Sequence, residues 1–517
     1  MTMAKSVIRF MVLVLVVCMT SCAGSQPSTA ASTRTFHPED YGAKGNGRTN
    51  DLNALQRLTR AVNENGGGIV VFGKGKTYRI AIEDDPNGGH TAVPIAGAMA
   101  LNFEGCQRPL TIDMQGATIE LAPNHSTKYA LFRFFNCKQF TLQGGNLVGD
   151  ALKHDYSDVT WRNQRGRSTH EWGTGIQING ASGTIRDMSI SYMTGDGIYA
   201  GNYKQDGAVY LSRMIYENLE VSYCRKNGIG QLSTDGTTFS NCHIHHIGTS
   251  DKLQGTAPMA GIDFEYEDKL GGKGDIILHG CHIHDCGKNT IVTSNLARPT
   301  PQHFLMEDCT IEGSCLDLVS MNSPRGKFLR RCTVSAPIFL GATEVDSCTF
   351  QIGGTGLSVS GTTFRNCTFM GRLKGFDEEP HGSCFMGNNG TATIFEDCTF
   401  RDIRGTNDNN ISRQGFSGYA FSLNAQFRRC TFQNVTFGRG RANVKSSYQF
   451  DQCTLDKDCV IYNGDDEQPI IFKNSTLNGV TAGTKKTGRF QYENCNLIAC
   501  PLTQSGKTTF KKCNVKK

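Results

Sequence analysis

The chain has 517 residues, a formal net charge of +6 and 38% hydrophobic residues. This positive balance is too weak to indicate a nucleic-acid-binding protein, so no nucleic-acid partner is expected. With only 14 prolines the composition is also unlike that of a disordered or collagen-like chain. The 29 Phe and 15 Tyr are enough for a large core.

The N-terminus reads as an export signal. Lys5 and Arg9 precede an apolar run over residues 10–19, which is too short to span a hydrocarbon core of about 30 Å. The next residues, Thr-Ser-Cys22, resemble the bacterial lipobox, and this resemblance implies cleavage before Cys22 and lipidation of its thiol. We therefore expect an exported protein, lipid-anchored to the cell envelope at the outer membrane. An ordinary signal peptide is the alternative.

A short repeat organises most of the chain. An apolar residue, two polar residues, Cys or a substitute, a polar residue and an apolar residue recur about every 25 residues from about residue 185 onward. Examples are Phe239-Ser-Asn-Cys242-His-Ile and Phe395-Glu-Asp-Cys398-Thr-Phe. Such units have room for short strands and turns but not for a ten-residue helix. They predict a parallel β-helix that rises about 4.8 Å per coil. Segments ending at Cys106 and Cys137 are predicted to be earlier coils.

The cysteines follow this repeat. An exported chain with 21 Cys could carry disulfides, but most of these residues recur at one repeat position, where a period of two turns them inward. We therefore predict a ladder of buried free thiols. Metal clusters are less favoured because the chain has no Cys-x-x-Cys pair. Local disulfides remain an alternative for three pairs: Cys281/Cys286, Cys309/Cys315 and Cys495/Cys500.

A distinct segment precedes the repeats. Residues 40–51 read Asp-Tyr-Gly-Ala-Lys-Gly-Asn-Gly-Arg-Thr-Asn-Asp, and Asp51 is expected to cap a helix that ends at a Gly run. The segment closely resembles the N-terminal cap of pectate-lyase-superfamily proteins, although Asn46 and Asn50 replace acidic residues of that pattern. Together with the repeats, this resemblance covers nearly all of residues 36–517. It implies an all-β fold, a single-stranded right-handed parallel β-helix (a pectin-lyase-like solenoid) with a short N-terminal helical cap.

The superfamily contains lyases, hydrolases, epimerases and phage tailspikes, so the resemblance implies no single chemistry. We expect a monomer with five segments: a lipoprotein signal peptide (1–21), a Ser/Ala-rich tether (22–35), the cap (36–80), coils with insertions on the active face (100–330), and regular C-terminal coils (331–517).

The first insertion, residues 148–174, contains both tryptophans of the chain. Trp161 and Trp172 are predicted to stack on sugars, or alternatively to pin the loop onto the helix. The other candidates in this insertion are the substrate-binding residues Arg162, Arg165 and Arg167 and the catalytic residues His170 and Glu171. The arginines are suited to carboxylate or sulfate groups, and a solvated loop is the alternative.

The next candidates come from aligned coils. Stacking is predicted for five isoleucines: Ile176, Ile198, Ile229, Ile262 and Ile291. Asp263 and Glu265 then face outward, and Asp196 lies two coils away, roughly 10 Å along the axis. The face is predicted to combine the catalytic residues Asp196, Asp263 and Glu265 with the substrate-binding residues Tyr199, Arg225, Lys226 and Glu267. A carboxylate pair suits acid/base cleavage of a glycosidic bond, whereas a turn or a solvated strand face is the alternative.

An Asp two residues before an inward Ile is also similar to polygalacturonase-like enzymes. Their Asp-Asp pair, Gly-His-Gly and Arg-x-Lys do not occur in place here, and the Arg and Ca²⁺ signatures of pectate lyases are missing. The subfamily is therefore unassigned.

Two neighbouring coils carry histidines in the same register. His243 is predicted to align with His282, and His245 with His284. Such paired imidazoles can bind a transition metal, which is the alternative here. We expect a surface strand stack without a metal, because no carboxylate third ligand is fixed in the sequence.

The leading hypothesis is an exported enzyme that hydrolyses a polysaccharide, a pectin-like or other uronate-bearing glycan, without a cofactor. One alternative is a polysaccharide lyase of the same substrate class, for which Ca²⁺ is possible. Another alternative is a non-catalytic glycan-binding surface β-helix.

Overall fold

The computed structural model describes most of the chain from residue 33 onward. The described residues are 33–82, 98–156, 170–206, 208–232, 234–249, 255–265, 274–294, 303–321, 323–352, 357–371, 385–386, 391–403, 421–422, 424–438, 447–463, 469–484, 489–501 and 508–516. Thr35–Lys517 form one compact unit. No helix among the described residues is long and apolar enough to cross a membrane.

A short helical cap precedes the coils. It consists of a 3₁₀ helix, Pro38–Tyr41, and an α-helix, Leu52–Glu64, which buries one apolar face. The predicted helix start after Asp51 is confirmed, but its carboxylate does not cap the helix. Instead it accepts hydrogen bonds from the backbone N–H groups of Lys44 (2.7 Å) and Gly45 (3.1 Å), and so holds the preceding loop in place.

Parallel strands form the body of the molecule, in rows that run along the helix axis. The first row has twelve strands among the described residues: Met99–Glu104, Lys128–Phe135, Trp172–Asn179, Ile198–Gly201, Asn227–Leu232, Ala260–Glu265, Asn289–Ser294, Cys315–Asp317, Ile338–Phe339, Leu357–Ser358, Phe385–Met386 and Phe421–Ser422.

A larger sheet bends into the second and third rows. The second row contains Thr35–Phe36, Gly68–Val71, Leu110–Asp113, Phe140–Val148, Gly183–Ser191, Met214–Ser222, Thr237–Ser240, Ile276–His279, Phe304–Glu307, Lys327–Arg330, Glu344–Asp346, Thr363–Arg365, Thr393–Glu396, Ala425–Arg428, Tyr448–Asp451, Ile470–Lys473, Phe490–Glu493 and Thr509–Lys511. The third row contains Asn46–Asn50, Thr77–Ile80, Thr118–Leu121, His243–His245, His282–His284, Thr310–Glu312, Thr333–Ser335, Thr349–Ile352, Thr368–Gly371, Thr399–Arg401, Thr431–Gln433, Thr454–Leu455, Thr476–Asn478, Asn496–Ile498 and Asn514–Lys516. Three long strands, Phe140–Val148, Gly183–Ser191 and Met214–Ser222, continue from the second row into the third.

Two small sheets complete the described strands. Thr436–Gly438, Val460–Asn463 and Thr481–Thr484 form one, and the antiparallel hairpin Tyr203–Gln205 with Ala208–Tyr210 forms the other. The predicted parallel β-helix with a helical cap is therefore confirmed.

Aromatic stacking shows how one coil supports the next. Phe364, Phe395 and Phe427 lie at the same repeat position, and successive ring centroids are 5.0 Å apart. This distance is close to the spacing between neighbouring strands, so each ring packs face to face on its counterpart. The core is thus built from neighbour-to-neighbour burial along the axis, as expected for a solenoid.

The predicted ladder of free thiols is present, but not in the middle of strands. All described cysteines are free, so none of the three local disulfides forms. Cys242, Cys281 and their equivalents lie at the bend between the second and third rows. The residue before the Cys has a left-handed backbone conformation, for example Asn241 with φ 53°. Cys106 and Cys137 lie at a different bend, after the first row. They form a separate pair that is not part of this ladder.

Candidate active site

The inward isoleucines of the first row have the predicted register. Ile198 pairs with Ile229, and Ile229 pairs with Ile262 in the next coil. All three are fully buried. Because side chains alternate along a strand, the residue that follows each Ile lies on the outer face of this row. Asp263 occupies that position, directly opposite Gly230.

Asp196 lies two residues before Ile198, and its side chain extends along the helix axis. A Cβ atom placed on Gly230 would lie only 2.8 Å from Asp196 Oδ2. Gly230 is the strand partner of Asp263, one spacing of about 4.8 Å away. The spacing of two coils, roughly 10 Å along the axis, is confirmed for the backbones, and the Asp196 carboxyl lies nearer to Asp263 than that spacing. The backbones are two coils apart, but the Asp196 side chain spans one of those coils because Gly230 has no side chain.

Asn227 lies beside both carboxyls. Its amide nitrogen donates to Asp263 Oδ2 at 3.5 Å, and its backbone N–H and side chain oppose the rise in the pKa of Asp196. Asn227 Oδ1 accepts from the backbone N–H of Ala260 at 3.2 Å, which orients the amide nitrogen toward the acids. Sequence reasoning missed this residue. Its alignment two positions before Ile229, in register with Asp196, was the available signal.

Both acids are buried, and burial changes their protonation. Burial raises the pKa of Asp196 to about 6, with a smaller contribution from the negative charge of Glu171. Burial raises the pKa of Asp263 to about 7, and the charges of Glu265 and Asp196 add to this. Each acid is 4% exposed and has one buried oxygen without a hydrogen-bond partner among the described residues. The alternative of a solvated strand face therefore does not hold for Asp263. Near neutral pH the pair holds a proton that isolated acids would have released.

Lys226 and Trp172 lie beside the acids. The Lys226 Nζ atom is 4.6 Å from the centroid of the Trp172 ring, a cation–π contact. Its charge also opposes the rise in pKa of both Asp196 and Asp263, so it lies within electrostatic range of each. The two side chains are half-buried and supply a cation and an aromatic surface at the same place.

Three other candidates lie on the same coils as the two acids or on a neighbouring coil. Glu171 is half-buried and accepts a hydrogen bond from Thr256 Oγ1 at 3.2 Å. Glu265 is half-buried on the same strand as Asp263. Tyr199 lies on the outer face of the first row, with its ring over Gly201.

The prediction that Arg225 binds substrate is wrong. Its side chain is fully buried, and Nη1 donates to the backbone carbonyls of His170 and Thr194, both at 3.1 Å. The guanidinium also lies 4.9 Å from the centroid of the Tyr156 ring. Arg225 therefore stabilises the two chain segments that carry Glu171 and Asp196.

His170 is likewise buried, which contradicts direct contact with a substrate. Its Nδ1 lies 2.7 Å from Nε2 of His154, whose Nδ1 lies 2.7 Å from Asp150 Oδ2. This buried chain anchors the backbone just before Glu171. Sequence reasoning missed Asp150 and His154 because their pairing depends on how the insertion folds back.

Several predicted residues lie outside the described residues. They are the substrate-binding candidates Trp161, Arg162, Arg165, Arg167 and Glu267, and the lipidation candidate Cys22.

The histidine register is confirmed on the third row. His243 pairs with His282, and His245 pairs with His284. The sequence did not fix a carboxylate as a third ligand, but the structure places two carboxylates next to the rings. Glu312 and Asp285 lie within hydrogen-bonding distance of His282 and His284, at 2.8 and 2.7 Å.

Comparison with known proteins supports the fold. The family model "Right handed beta helix region" matches residues 173–336, which include the acids, Asn227 and Lys226. The chain is thus a right-handed parallel β-helix protein, as the cap and repeats predicted, and the matches distinguish no subfamily.

The relatives are distant. The uncharacterized protein YclG of Bacillus subtilis (strain 168) is 31% identical over 245 residues, which are 46% of this chain and 38% of YclG. The chain therefore spans less than half the length of this relative.

The chain is also similar in architecture to two solved structures. The A-module of the mannuronan C-5 epimerase AlgE6 of Azotobacter vinelandii is 14% identical with a TM-score of 0.38, covering 91% of this chain and 100% of that module. The surface adhesin PfbA of Streptococcus pneumoniae is 13% identical with a TM-score of 0.36, covering 91% of this chain and 93% of the adhesin chain. These likenesses concern architecture alone.

Proposed function

We propose that the protein is a carbohydrate-active enzyme that hydrolyses glycosidic bonds of a polysaccharide with Asp263 and Asp196. One observation carries this proposal: two buried carboxyls lie on either side of Gly230 and beside Asn227, and burial raises the pKa of both toward neutrality. Acid/base cleavage of a glycosidic bond requires one protonated and one ionised carboxyl at the same pH.

The two acids have different roles in this proposal. Asp263, with the higher pKa, donates its proton to the glycosidic oxygen as that bond breaks. Asp196, with the lower pKa, accepts a proton from the attacking water. Exchange of a proton with solvent restores both groups after each cleavage. Glu265 keeps the Asp263 proton in place at neutral pH through its negative charge.

Lys226 and Trp172 point to the substrate class. An aromatic face suits the apolar face of a sugar ring, and an ammonium next to it suits a uronate carboxylate. We therefore propose a pectin-like or other uronate-bearing glycan as substrate.

Lys226 also favours a second candidate, a polysaccharide lyase. Its charge can neutralise the uronate carboxylate while Asp196 removes the proton at C5, and elimination then breaks the glycosidic bond. Arg225 and His170 are buried and do not serve this role. No Ca²⁺ requirement is proposed, because the Lys226 charge already lies beside the acids that would hold the ion.

The test incubates the chain from residue 34 with a panel of uronate-rich and neutral glycans. Asp263→Asn and Asp196→Asn are compared with Asp317→Asn, a matched control that follows the inward Leu316 of the first row as Asp263 follows Ile262. Hydrolysis releases reducing ends without ultraviolet absorbance of an unsaturated sugar. We expect a loss of about 10²–10⁴-fold in the two site variants only. Absorbance would identify the lyase, and glycan binding without cleavage would identify a binding protein.

For the N-terminus we propose export and lipidation of Cys22. The basic start, short apolar run and lipobox-like Thr-Ser-Cys22 support it. Metabolic labelling with a radioactive fatty acid in a bacterial host should label the wild type but not Cys22→Ala. Equal labelling of both would contradict this assignment.

A further inference from the structure

A cluster of imidazoles lies on the third row of the helix, outside the candidate active site. We call His243, His282 and His284 the histidine cluster. His243 and His282 occupy equivalent positions in adjacent coils, and their rings stack with centroids 5.2 Å apart and an interplanar angle of 10°. His284 lies two residues after His282, on the same face of the strand.

The ring nitrogens of the cluster converge on one point. His243 Nε2 and His284 Nε2 are 2.8 Å apart. One nitrogen from each of the three rings lies within 4.8 Å of the other two. Nitrogen ligands at 2.0–2.1 Å from a single ion lie about 3–4 Å from one another, so small side-chain rotations bring the three nitrogens to that spacing.

Carboxylates orient two of the three rings. Asp285 Oδ2 lies 2.7 Å from His284 Nδ1, so Nδ1–H donates to it and the lone pair of Nε2 faces His243. Glu312 Oε2 lies 2.8 Å from His282 Nε2, so Nε2–H donates to it and Nδ1 is the nitrogen that His282 can offer to an ion. A carboxylate on the far nitrogen is the usual partner of a metal-binding histidine, because it fixes the tautomer and the ring orientation.

We propose that His243, His282 and His284 bind one divalent transition-metal ion of the class that prefers imidazole, such as Zn²⁺. Asp285 and Glu312 then act as partners that orient the ligands. Because the ligands come from two adjacent coils, the ion links these coils. This site is independent of the proposed hydrolysis, and the hydrolase assignment does not require it.

Isothermal titration of the untagged chain with Zn²⁺ tests this proposal. We expect one ion per chain in the wild type and no binding at the same concentration in His243→Ala and His284→Ala. Asp285→Asn keeps all three ligands and should weaken binding about 10–100-fold. His303→Ala, which removes a half-buried histidine from outside the cluster, should bind as the wild type does.

A second measurement excludes binding by thiols. Co²⁺ bound at the cluster should show ligand-field bands without the intense thiolate charge-transfer band that cysteine ligands produce. No binding by the wild type, unchanged binding in His243→Ala and His284→Ala, or a thiolate band would each overturn the proposal. If an alanine variant does not fold, Asp285→Asn decides: affinity equal to that of the wild type overturns it.

Discussion

The Asp196 carboxyl lies across Gly230, where a single methyl group would collide with it. A methyl carbon at the Cβ position of residue 230 would be 2.8 Å from Asp196 Oδ2, closer than such atoms approach in proteins. The missing side chain at Gly230 is what lets the Asp196 carboxyl lie over the coil next to that of Asp263. A glycine in the middle of a strand, which offers no packing of its own, thereby brings the two acids together.

Gly230→Ala should therefore lower kcat with little effect on the fold. The added methyl group displaces the Asp196 carboxyl from Asn227 and Asp263, and a displacement of about 1 Å can cost on the order of 10²-fold in rate. Steady-state kinetics and the melting temperature of the variant are to be compared with those of the wild type. Unchanged kcat in a folded variant would show that the position of Asp196 does not matter.

Glu265→Gln should move the alkaline limb of the pH–rate profile to lower pH. The negative charge of Glu265 raises the pKa of Asp263, so its removal lets Asp263 lose its proton earlier. The limb lies at about pH 7 in the wild type, set by the pKa of Asp263, and the acid limb at about pH 6, set by that of Asp196. The pH dependence of kcat/KM measures both limbs. A shift to higher pH would contradict this assignment.

Lys226→Met should move the same limb in the opposite direction. The Lys226 charge lowers the pKa of both acids, so its loss raises both values and shifts the whole profile to higher pH. KM for a uronate-bearing glycan should rise as well, because the substrate carboxylate loses its cation. The profile and KM are measured on the uronate glycan and on its methyl-esterified form, for which KM should change less. Equal changes in KM for both substrates would argue against a carboxylate contact.

Asp263 should make folding stability depend on pH. The folded protein keeps the Asp263 proton up to about pH 7, whereas the unfolded chain releases it near the ordinary pKa of 3.8. The contribution of Asp263 to the unfolding free energy is therefore largest below about pH 4 and falls as pH rises to about 7, by on the order of 2–4 kcal/mol. Asp263→Asn stays neutral throughout and should flatten this decline. Thermal denaturation of both proteins from pH 4 to pH 8 checks this, with the exposed Asp187→Asn as control. Parallel curves for wild type and Asp263→Asn would contradict it.

The fold was predictable from the sequence because the same repeat pattern occurs many times along the chain. The cap, the coils, the inward isoleucines and the buried thiols each follow from local pattern and period. The position of the thiols at bends was not predictable in the same way. It depends on a left-handed backbone conformation at the residue before the Cys, and many residue types occupy that position here.

The site was predicted less completely, for a physical reason. Register aligned Ile198, Ile229 and Ile262, but it does not say how far a side chain leans along the axis. The position of Asn227 beside the acids depends on contacts between coils, and the burial of Arg225 depends on its contacts with Tyr156 and His170. Such contacts depend on three-dimensional packing, which the period of a sequence repeat does not reveal.

The most direct test of the account is the protonation of Asp263 at neutral pH. Isotope-edited infrared difference spectra of the wild type and Asp263→Asn would follow the carbonyl stretch of a protonated carboxyl as pH rises from about 5 to about 9. We expect this band in the wild type, lost with a midpoint at about pH 7, and missing in Asp263→Asn. The contradicting result is a wild type whose spectrum above about pH 5 is the same as that of Asp263→Asn. Asp263 would then be ionised and could not be the general acid.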